Sequence, residues 1–145
     1  MAATRVDFYV LNTNLPGGRL KLTCRVVEKA YKQGNRVLIQ TAGREQAMQL
    51  DELLWTFRAG SFIPHSLADS TANIASPVII GTGGIKDVGA DLLVNLSDAI
   101  PERYKEYGRV AEIIGQEDSI RHQGRERFRK YKEDGCTLET HTITT

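Results

Sequence analysis

Residues 6–40 read VDFYVLNTNLPGGRLKLTCRVVEKAYKQGNRVLIQ. The opening run, residues 6–11, is short and apolar, which is typical of a buried strand. Apolar side chains then recur at helical spacing, at Leu20, Cys24, Val27 and Tyr31. Gly34 ends this helix, and Arg36–Gln40 is a second apolar run of strand length. The stretch therefore predicts a strand, a helix and a strand in succession.

The same alternation continues along the chain. Helical spacing runs over Arg44–Leu54, and strand-like apolar runs follow at Pro77–Ile80 and Asp91–Leu96. Arg109–Ile114 fits either a strand or a helix. We favour a strand because the run is short, rich in β-branched residues and flanked by glycines.

A basic helix and a Thr-rich tail complete the pattern. The helix begins near Asp118 and ends at Gly135, and residues 137–144 have the composition of a final edge strand. Strands that alternate with helices predict a mostly parallel central sheet with helices on both faces. We therefore expect an α/β fold, with residues 1–145 forming a single three-layer domain of nucleotide-binding-like topology.

The composition is that of an ordinary soluble domain, with 145 residues, of which 41% are hydrophobic and 26% charged. The two cysteines, Cys24 and Cys136, lack the spacing that would hold a metal, which favours free thiols in a reducing cytosol. No apolar run approaches the roughly 18 residues of a membrane span, and the N-terminus lacks a signal layout. We expect a cytoplasmic protein without a membrane segment.

A glycine-rich run, residues 81–84, follows a predicted strand at the place where parallel sheets bind nucleotides. Its spacing does not fit a phosphate site. A dinucleotide motif needs a glycine where Lys86 stands, and no register provides the Gly-Lys-Ser or Gly-Lys-Thr of a phosphate loop. We interpret the run as a flexible turn between strands, and we expect no phosphate loop.

The residue types that usually perform catalysis do not occur at the spacings of known catalytic motifs. The histidines, His65, His122 and His141, lack neighbours at a spacing that supplies a nucleophile or a second metal ligand. No acidic pair marks a metal site for phosphoryl transfer. The sequence therefore predicts no catalytic residue, no metal and no cofactor.

Aromatic residues are concentrated behind the second predicted helix. Residues 50–65 contain the single Trp and two of the four Phe residues. Gly60 and Pro64 break the helix, so Trp55 and Phe62 are expected largely in connecting structure. Such a loop either closes over its own sheet as a lid or forms a contact surface for another protein. The residues alone leave both interpretations open.

The net charge of +1 conceals one strongly basic segment, because residues 120–132 hold six cations against Glu126 alone. On a helix, a stripe roughly 100° wide would contain Arg121, Arg125, Phe128, Arg129 and Lys132, while Ile120, Gly124 and Tyr131 would face the sheet. This stripe suits an anionic partner that also carries an apolar group, but a solvated charged face fits equally well. A nucleic-acid backbone is the other candidate ligand for this stripe, and it is disfavoured there by the small total charge and the lack of interleaved aromatic residues.

Six segments of the chain form a recognisable series: Phe8–Leu11, Gly34–Ile39, Leu50–Trp55, Ser61–His65, Asp91–Leu96 and Arg125–Tyr131. In this order they resemble the chi subunit family of bacterial DNA polymerase III holoenzyme. The Leu-Asp-Glu-x-Leu-Trp and Ser-Phe-x-Pro-His segments are the specific ones, and the match as a whole extends over nearly the whole chain.

This resemblance implies an accessory subunit of the clamp-loader assembly without catalytic activity of its own. It implies that the protein pairs with the psi subunit and grips the acidic, Phe-terminated tail of single-stranded DNA-binding protein, so that its contact with DNA is indirect. The psi-facing surface would contain Trp55, Phe62, Ile63 and Pro64. The tail-binding surface would contain Ile114, Arg121, Arg125, Phe128, Arg129 and Lys132, with Ile114 at the floor of a pocket for the terminal ring.

Three residues depart from what the family leads us to expect. Phe128 stands where a Tyr is expected and Arg129 where a Lys is expected, which keeps the ring and the charge. Gly124 lies inside a helix, where it costs about 1 kcal/mol relative to Ala unless close packing needs it. Two alternatives to the adaptor remain: a direct single-stranded DNA-binding module, and a nucleotide-dependent enzyme, which the glycine spacing disfavours.

Overall fold

The computed structural model describes residues 4–13, 17–60, 62–68, 76–82 and 89–144. Within these ranges the elements are, in chain order, β1 (Arg5–Leu11), α1 (Gly18–Lys32), β2 (Val37–Gln40), α2 (Arg44–Thr56), β3 (His65–Leu67), β4 (Val78–Gly81), β5 (Leu92–Asn95), β6 (Arg109–Ile114), α3 (Asp118–Glu133) and β7 (Thr137–Ile143). A 3-10 turn at Tyr104–Glu106 precedes β6.

The seven strands form one sheet in the order β3-β4-β2-β5-β6-β1-β7, and each pairing between neighbours is parallel. Strands of a parallel sheet are covered on both faces, so they consist of nearly continuous apolar runs. All four residues of β4 and all four of β5 are buried. The α/β fold and the strand at residues 109–114 are thus confirmed, and β7 is the expected edge strand.

Helices cover both faces of the sheet. On one face α1 and α2 bury Leu22 and Leu50 against the central strands. On the other face α3 buries Tyr131 beside Phe8 of β1. Full burial of each such side chain contributes about 2 kcal/mol. This arrangement separates the α1–α2 surface from the α3 surface by the thickness of the sheet.

Two local predictions are corrected by the structure. Helix α2 extends to Thr56, so Trp55 lies in its last turn and not in the loop that follows. The N–H of Phe57 still donates to the carbonyl of Leu53 at 2.8 Å, which continues the helical hydrogen-bond ladder past Trp55. Strand β3, which pairs with β4 at the sheet edge, was not predicted because three residues are too short to carry a periodic pattern.

Part of the glycine-rich run falls outside the described residues. Gly81 ends β4 and Thr82 follows it, whereas Gly83, Gly84 and Lys86 are not among the described positions. Within the described ranges, none of the helices combines the length and apolar character needed to cross a membrane.

Candidate protein-interaction sites

A pocket of about 210 Å³, which we call the α3 pocket, lies between α3 and the sheet. It is lined by Phe8, Val10, Ile114, Arg121, Gly124, Arg125, Phe128 and Thr140. The strand residues make its floor mostly apolar, whereas Arg121 and Arg125 are exposed and place two positive charges at the rim. The pocket can therefore take an apolar group that has an anion beside it.

Parallel pairing assembles the floor from three strands. Phe8 of β1 is in register with Thr140 of β7, and Val10 of β1 is in register with Ile114 of β6. Alternate residues of a strand share a face, so Phe8 and Val10 both face α3. The ring of Phe128 packs edge-to-face on Phe8 with the centroids 5.1 Å apart, which makes Phe128 a wall of the pocket.

Gly124 allows α3 to approach the sheet closely. A Cβ built at this position would lie 2.8 Å from Cδ1 of Ile114, closer than side chains tolerate. The side chain of Ile114 therefore occupies the space that the side chain of any larger residue at position 124 would need. The helix glycine thus has a packing role, and both partners of this close contact line the α3 pocket.

A buried ion pair fixes the orientation of α3. Arg127 Nε donates to Glu112 Oε1 at 3.1 Å, and the Tyr131 hydroxyl donates to Glu112 Oε2 at 2.7 Å. Asn95 of β5 also donates to Oε2, at 2.8 Å. Burial raises the pKa of the Glu112 carboxyl above its usual value, while the charge of Arg127 and the hydrogen bonds to the carboxylate act in the opposite direction.

This ion pair lowers the positive charge that the basic segment shows to solvent. Arg127 is one of the six cations of residues 120–132, but it is buried and its charge faces Glu112. Arg129 and Lys132 are exposed as predicted, yet neither lines the α3 pocket. Arg129 points to Glu126 at 3.7 Å, and Lys132 lies one helical turn beyond Phe128. The structure thus brings Ile114, Arg121, Arg125 and Phe128 together and leaves Arg129 and Lys132 outside.

Strand residues of the pocket could not be predicted from the helical stripe. Phe8 and Val10 come from the first strand, and Thr140 comes from the last. Their apolar or Thr-rich runs indicated strands, but nothing in those runs indicated which strand would lie under α3. The sheet order supplies that information, because β1 lies between β6 and β7.

A second surface is formed by the aromatic residues behind α2. Trp55 is 46% exposed and Phe62 is 68% exposed, and their ring centroids are 5.2 Å apart. Pro64 is partly buried, whereas Ile63 is only 1% exposed and packs in the core. In the isolated chain Trp55 and Phe62 therefore present apolar area to solvent, while Ile63 anchors the segment from below. These two rings therefore do not close over the sheet of their own chain as a lid.

His65 supports this aromatic surface, a role that the sequence did not reveal. Its Nδ1 hydrogen-bonds with the carbonyl of Ile63 at 2.7 Å, and its Nε2 with the carbonyl of Asp51 at 3.0 Å. The Asp51 carboxylate lies 3.2 Å from the same Nε2. The Trp55 ring packs on the imidazole with centroids 4.2 Å apart. His65 thus joins α2 to the segment that carries Phe62.

Asp7, Glu139 and His141 place their ligand-type atoms within 4.8 Å of one another. Arg109 Nε donates to Asp7 at 2.7 Å, and Arg5 Nη2 donates to Glu139 at 3.0 Å. The guanidinium groups hold the carboxylates that a cation would need, so we interpret the cluster as an ion-pair network. Burial acts to raise the pKa of Asp7, but hydrogen bonds from His141, Arg5 and Arg109 hold it below its usual value.

A crevice of about 590 Å³ lies at the carboxyl ends of β2 and β5, where folds of this type bind nucleotides. Its lining includes the side chains of Asp98, Glu102 and Arg103. The charge of Arg103 is paired with Glu106 at 2.6 Å, so the other two residues make the crevice unfavourable for phosphate.

Comparison with known proteins places these features in a family. The family described as DNA polymerase III chi subunit, HolC, matches residues 3–139. The chain belongs to this family. A protein named DNA polymerase III subunit chi from Pseudomonas aeruginosa is 42% identical over 140 residues, which cover 97% of each chain. The subunit of the same name from Escherichia coli is 31% identical over 140 residues, or 93% of this chain and 95% of the relative.

The resemblance found in the sequence is thereby confirmed at the level of the family. A third relative, the subunit chi of Haemophilus influenzae, is 27% identical over 142 residues, or 97% of this chain and 99% of the relative. The family consists of accessory subunits of a DNA polymerase, which places the chain in DNA replication.

Proposed function

We propose that this chain is a non-catalytic accessory subunit of the DNA polymerase III clamp-loader assembly, where it links the psi subunit to the acidic C-terminal tail of single-stranded DNA-binding protein. The α3 pocket is the observation that carries the proposal. Its apolar floor and its two rim arginines match a peptide that ends in Phe. The ring supplies apolar burial, and the terminal carboxylate pairs with a guanidinium group.

Binding of the tail has two physical parts. Exposed cations along α3, including Arg129 and Lys132, attract the acidic residues of the tail at long range and raise the rate of encounter. The terminal Phe ring then enters the pocket between Ile114 and Phe128, where the contact is screened less by salt. The long-range attraction therefore sets the rate of encounter, and the pocket contact sets the specificity for a peptide that ends in Phe.

The aromatic surface supports the psi half of the proposal. Trp55 and Phe62 expose two adjacent rings on the face opposite α3, and large exposed aromatic residues are typical anchors of protein interfaces. Because the two surfaces lie on different faces, one molecule can hold psi and the tail at the same time. Contact with DNA through the tail is indirect.

Calorimetric titration with an acidic peptide that ends in Phe tests the tail site. We expect Arg125→Ala to weaken binding by roughly 1 to 3 kcal/mol, the range of charge-assisted hydrogen bonds. Phe128→Ala should also weaken binding, with little change in its salt dependence. Removal of the last Phe from the peptide should abolish measurable binding although every acidic residue remains. Equal binding of the truncated peptide would show that α3 is only a general anion surface.

Titration with psi tests the aromatic surface. Phe62→Ala should weaken the complex by about 2 kcal/mol or more if this residue is an interface anchor. Because Trp55 is the single Trp, its fluorescence should change on addition of a psi subunit without Trp. If Trp55→Ala and Phe62→Ala each leave the complex unchanged with the fold intact by circular dichroism, psi binds elsewhere.

A further inference from the structure

Helix α1 carries a second basic surface that the sequence analysis did not identify. Lys21, Arg25, Lys29 and Lys32 are all exposed. Their spacing of four, four and three residues places them within a stripe about 80° wide along about 16 Å of helix. Arg58, from the loop after α2, lies beside the end of this stripe. We call these five residues the α1 basic face.

The acidic residue within this surface is buried. Glu28 is the one acidic residue in the α1 sequence, and it is 6% exposed. Its carboxylate lies 3.4 Å from Arg58 Nη2 and 3.9 Å from Lys32 Nζ, which holds both cations beside the helix. One buried carboxylate balances one positive charge, and Lys21 and Lys29 extend the positive charge along the exposed side of the helix. The α1 basic face therefore keeps a positive potential toward solvent.

The shape of this surface differs from that of the α3 pocket. A crevice of about 350 Å³ lined in part by Arg25, Lys29 and Arg58 adjoins a second crevice of about 350 Å³ lined in part by Tyr31, Lys32 and Arg58. Arg58 and Glu28 belong to both linings, so the two crevices are neighbours and meet at this ion pair. Two adjoining crevices suit an extended ligand, whereas the α3 pocket suits the end of a chain.

We propose that the α1 basic face binds the phosphate backbone of single-stranded DNA. That backbone is an extended anion with regularly repeated charge, and cations in a row along a helix neutralise successive phosphates. Tyr31 in the second crevice offers a ring on which a base can stack. A subunit family of a DNA polymerase works beside DNA. The contact is direct and lies on the opposite face from the α3 pocket, so it does not depend on the proposed tail site. Phe62 of the aromatic surface also lines the second crevice.

The experiment uses the full chain and a fluorescent oligothymidylate of about 20 nucleotides, within the usual range for single-strand binding sites. Anisotropy titrations between about 50 and about 200 mM salt give the affinity and its salt slope. Lys21→Gln with Lys29→Gln should lower the affinity at least about tenfold at low salt and reduce the slope by about 1.4, since each lost phosphate contact removes about 0.7. The matched control, Lys105→Gln with Lys130→Gln, removes the same charge from exposed positions outside the α1 basic face.

Three results would overturn the proposal. The first is wild-type binding no stronger than that of the α1 double variant. The second is an equal loss in the control variant, which would indicate a general charge effect. The third is displacement of the oligonucleotide by polyglutamate of equal charge, which would indicate an acidic protein as the occupant. The α1 double variant should bind the tail peptide as tightly as the wild type, because it leaves the α3 pocket unchanged. Peptide binding and oligonucleotide binding therefore test the two proposals separately.

Discussion

At the scale of single residues, two side-chain choices shape the proposed interfaces. Gly124 removes a Cβ from α3, and Ile114 occupies the space at the pocket floor. His65 hydrogen-bonds with Ile63 and Asp51 and carries the Trp55 ring on its face. Both residues affect binding through a neighbouring side chain. Gly124 determines the position of Ile114, and His65 determines the position of Trp55.

We expect Gly124→Ala to weaken binding of the tail peptide about tenfold, or about 1.4 kcal/mol. The new methyl group would lie 2.8 Å from Ile114 Cδ1, so that end of the Ile114 side chain must move and the pocket floor changes. The chain should stay folded, because Ala is favoured over Gly in a helix by about 1 kcal/mol and offsets part of the clash. Calorimetry gives the affinity. The double variant Gly124→Ala with Ile114→Val lacks the Cδ1 atom that would clash, so it should recover binding of the tail peptide. An unchanged affinity in Gly124→Ala alone would show that Ile114 does not form the floor of the binding pocket.

His65→Phe tests the positioning of Trp55. The substitution keeps an aromatic ring beneath Trp55 but removes the hydrogen bonds to Ile63 and Asp51. We expect altered fluorescence of the free protein, weaker psi binding and unchanged tail binding, because the α3 pocket lies on the other face. His122→Phe, at an exposed position on α3, is the matched control for psi binding. Normal fluorescence and psi binding in His65→Phe would mean that Trp55 does not depend on His65.

At the scale of elements, polar networks determine how α3 and β7 are attached to the sheet. Arg127 and Tyr131, one turn apart on α3, both donate to Glu112 of β6. Asp7 of β1 is bonded to Arg109 of β6 and to His141 of β7. The first network sets the rotation of the basic helix, and the second connects the edge strand to its neighbours.

We expect Arg127→Met to lower the free energy of unfolding by about 3 to 5 kcal/mol, because it leaves the Glu112 carboxylate buried without its cation. Urea unfolding measures the loss. The double variant with Glu112→Met should be far more stable than Arg127→Met alone, since an apolar pair often replaces a buried ion pair at little cost. A double variant as unstable as the single one would show that the loss came from packing and not from the stranded charge.

Asp7 gives a prediction for acid stability. Its pKa in the folded chain lies below the ordinary value of 3.8, so the unfolded chain takes up the proton first as the pH falls. The stability that Asp7 contributes is complete above about pH 5 and is lost as the pH falls through the folded pKa. Asp7→Asn should therefore lower the free energy of unfolding by about 2 kcal/mol at pH 7 and flatten its decline in acid. Urea unfolding at a series of acidic pH values is the measurement, and equal acid slopes for both proteins would exclude this role.

At the scale of the whole molecule, the sheet separates the α3 pocket from the two other surfaces. The α3 pocket lies on one face, and the aromatic surface and the α1 basic face lie on the other. A parallel sheet covered on both sides is a stiff, closely packed separator. We infer that partners on opposite faces bind without competition.

If the two faces are independent, a substitution on one face should not change the affinity of the partner on the other. Trp55→Ala should leave tail affinity unchanged, and Arg125→Ala should leave psi affinity unchanged, because distant sites without shared partners are additive within about 0.5 kcal/mol. Calorimetry of the tail peptide with and without saturating psi tests the same point for the bound ligands. A difference in tail affinity well above that margin would indicate coupling through the sheet.

The sequence alone determined the α/β class, the strand at residues 109–114, the edge strand β7 and the family. These depend on local apolar periodicity and on contiguous motifs, which the chain carries along its length. It also placed Arg121, Arg125 and Phe128 on one side of α3, because helical geometry fixes which neighbours share a face.

Only the tertiary structure decided what lies opposite those residues. The floor of the α3 pocket combines β1, β6 and β7, and strand order is not written in the periodicity of any one strand. The burial of Arg127 could not be predicted either, since a charged residue at an inward position is recognisable only once Glu112 is seen beneath it. Ile63 and Phe62 are neighbours in sequence, yet one is in the core and the other is exposed, and the packing of the segment against the core decides which of the two is buried.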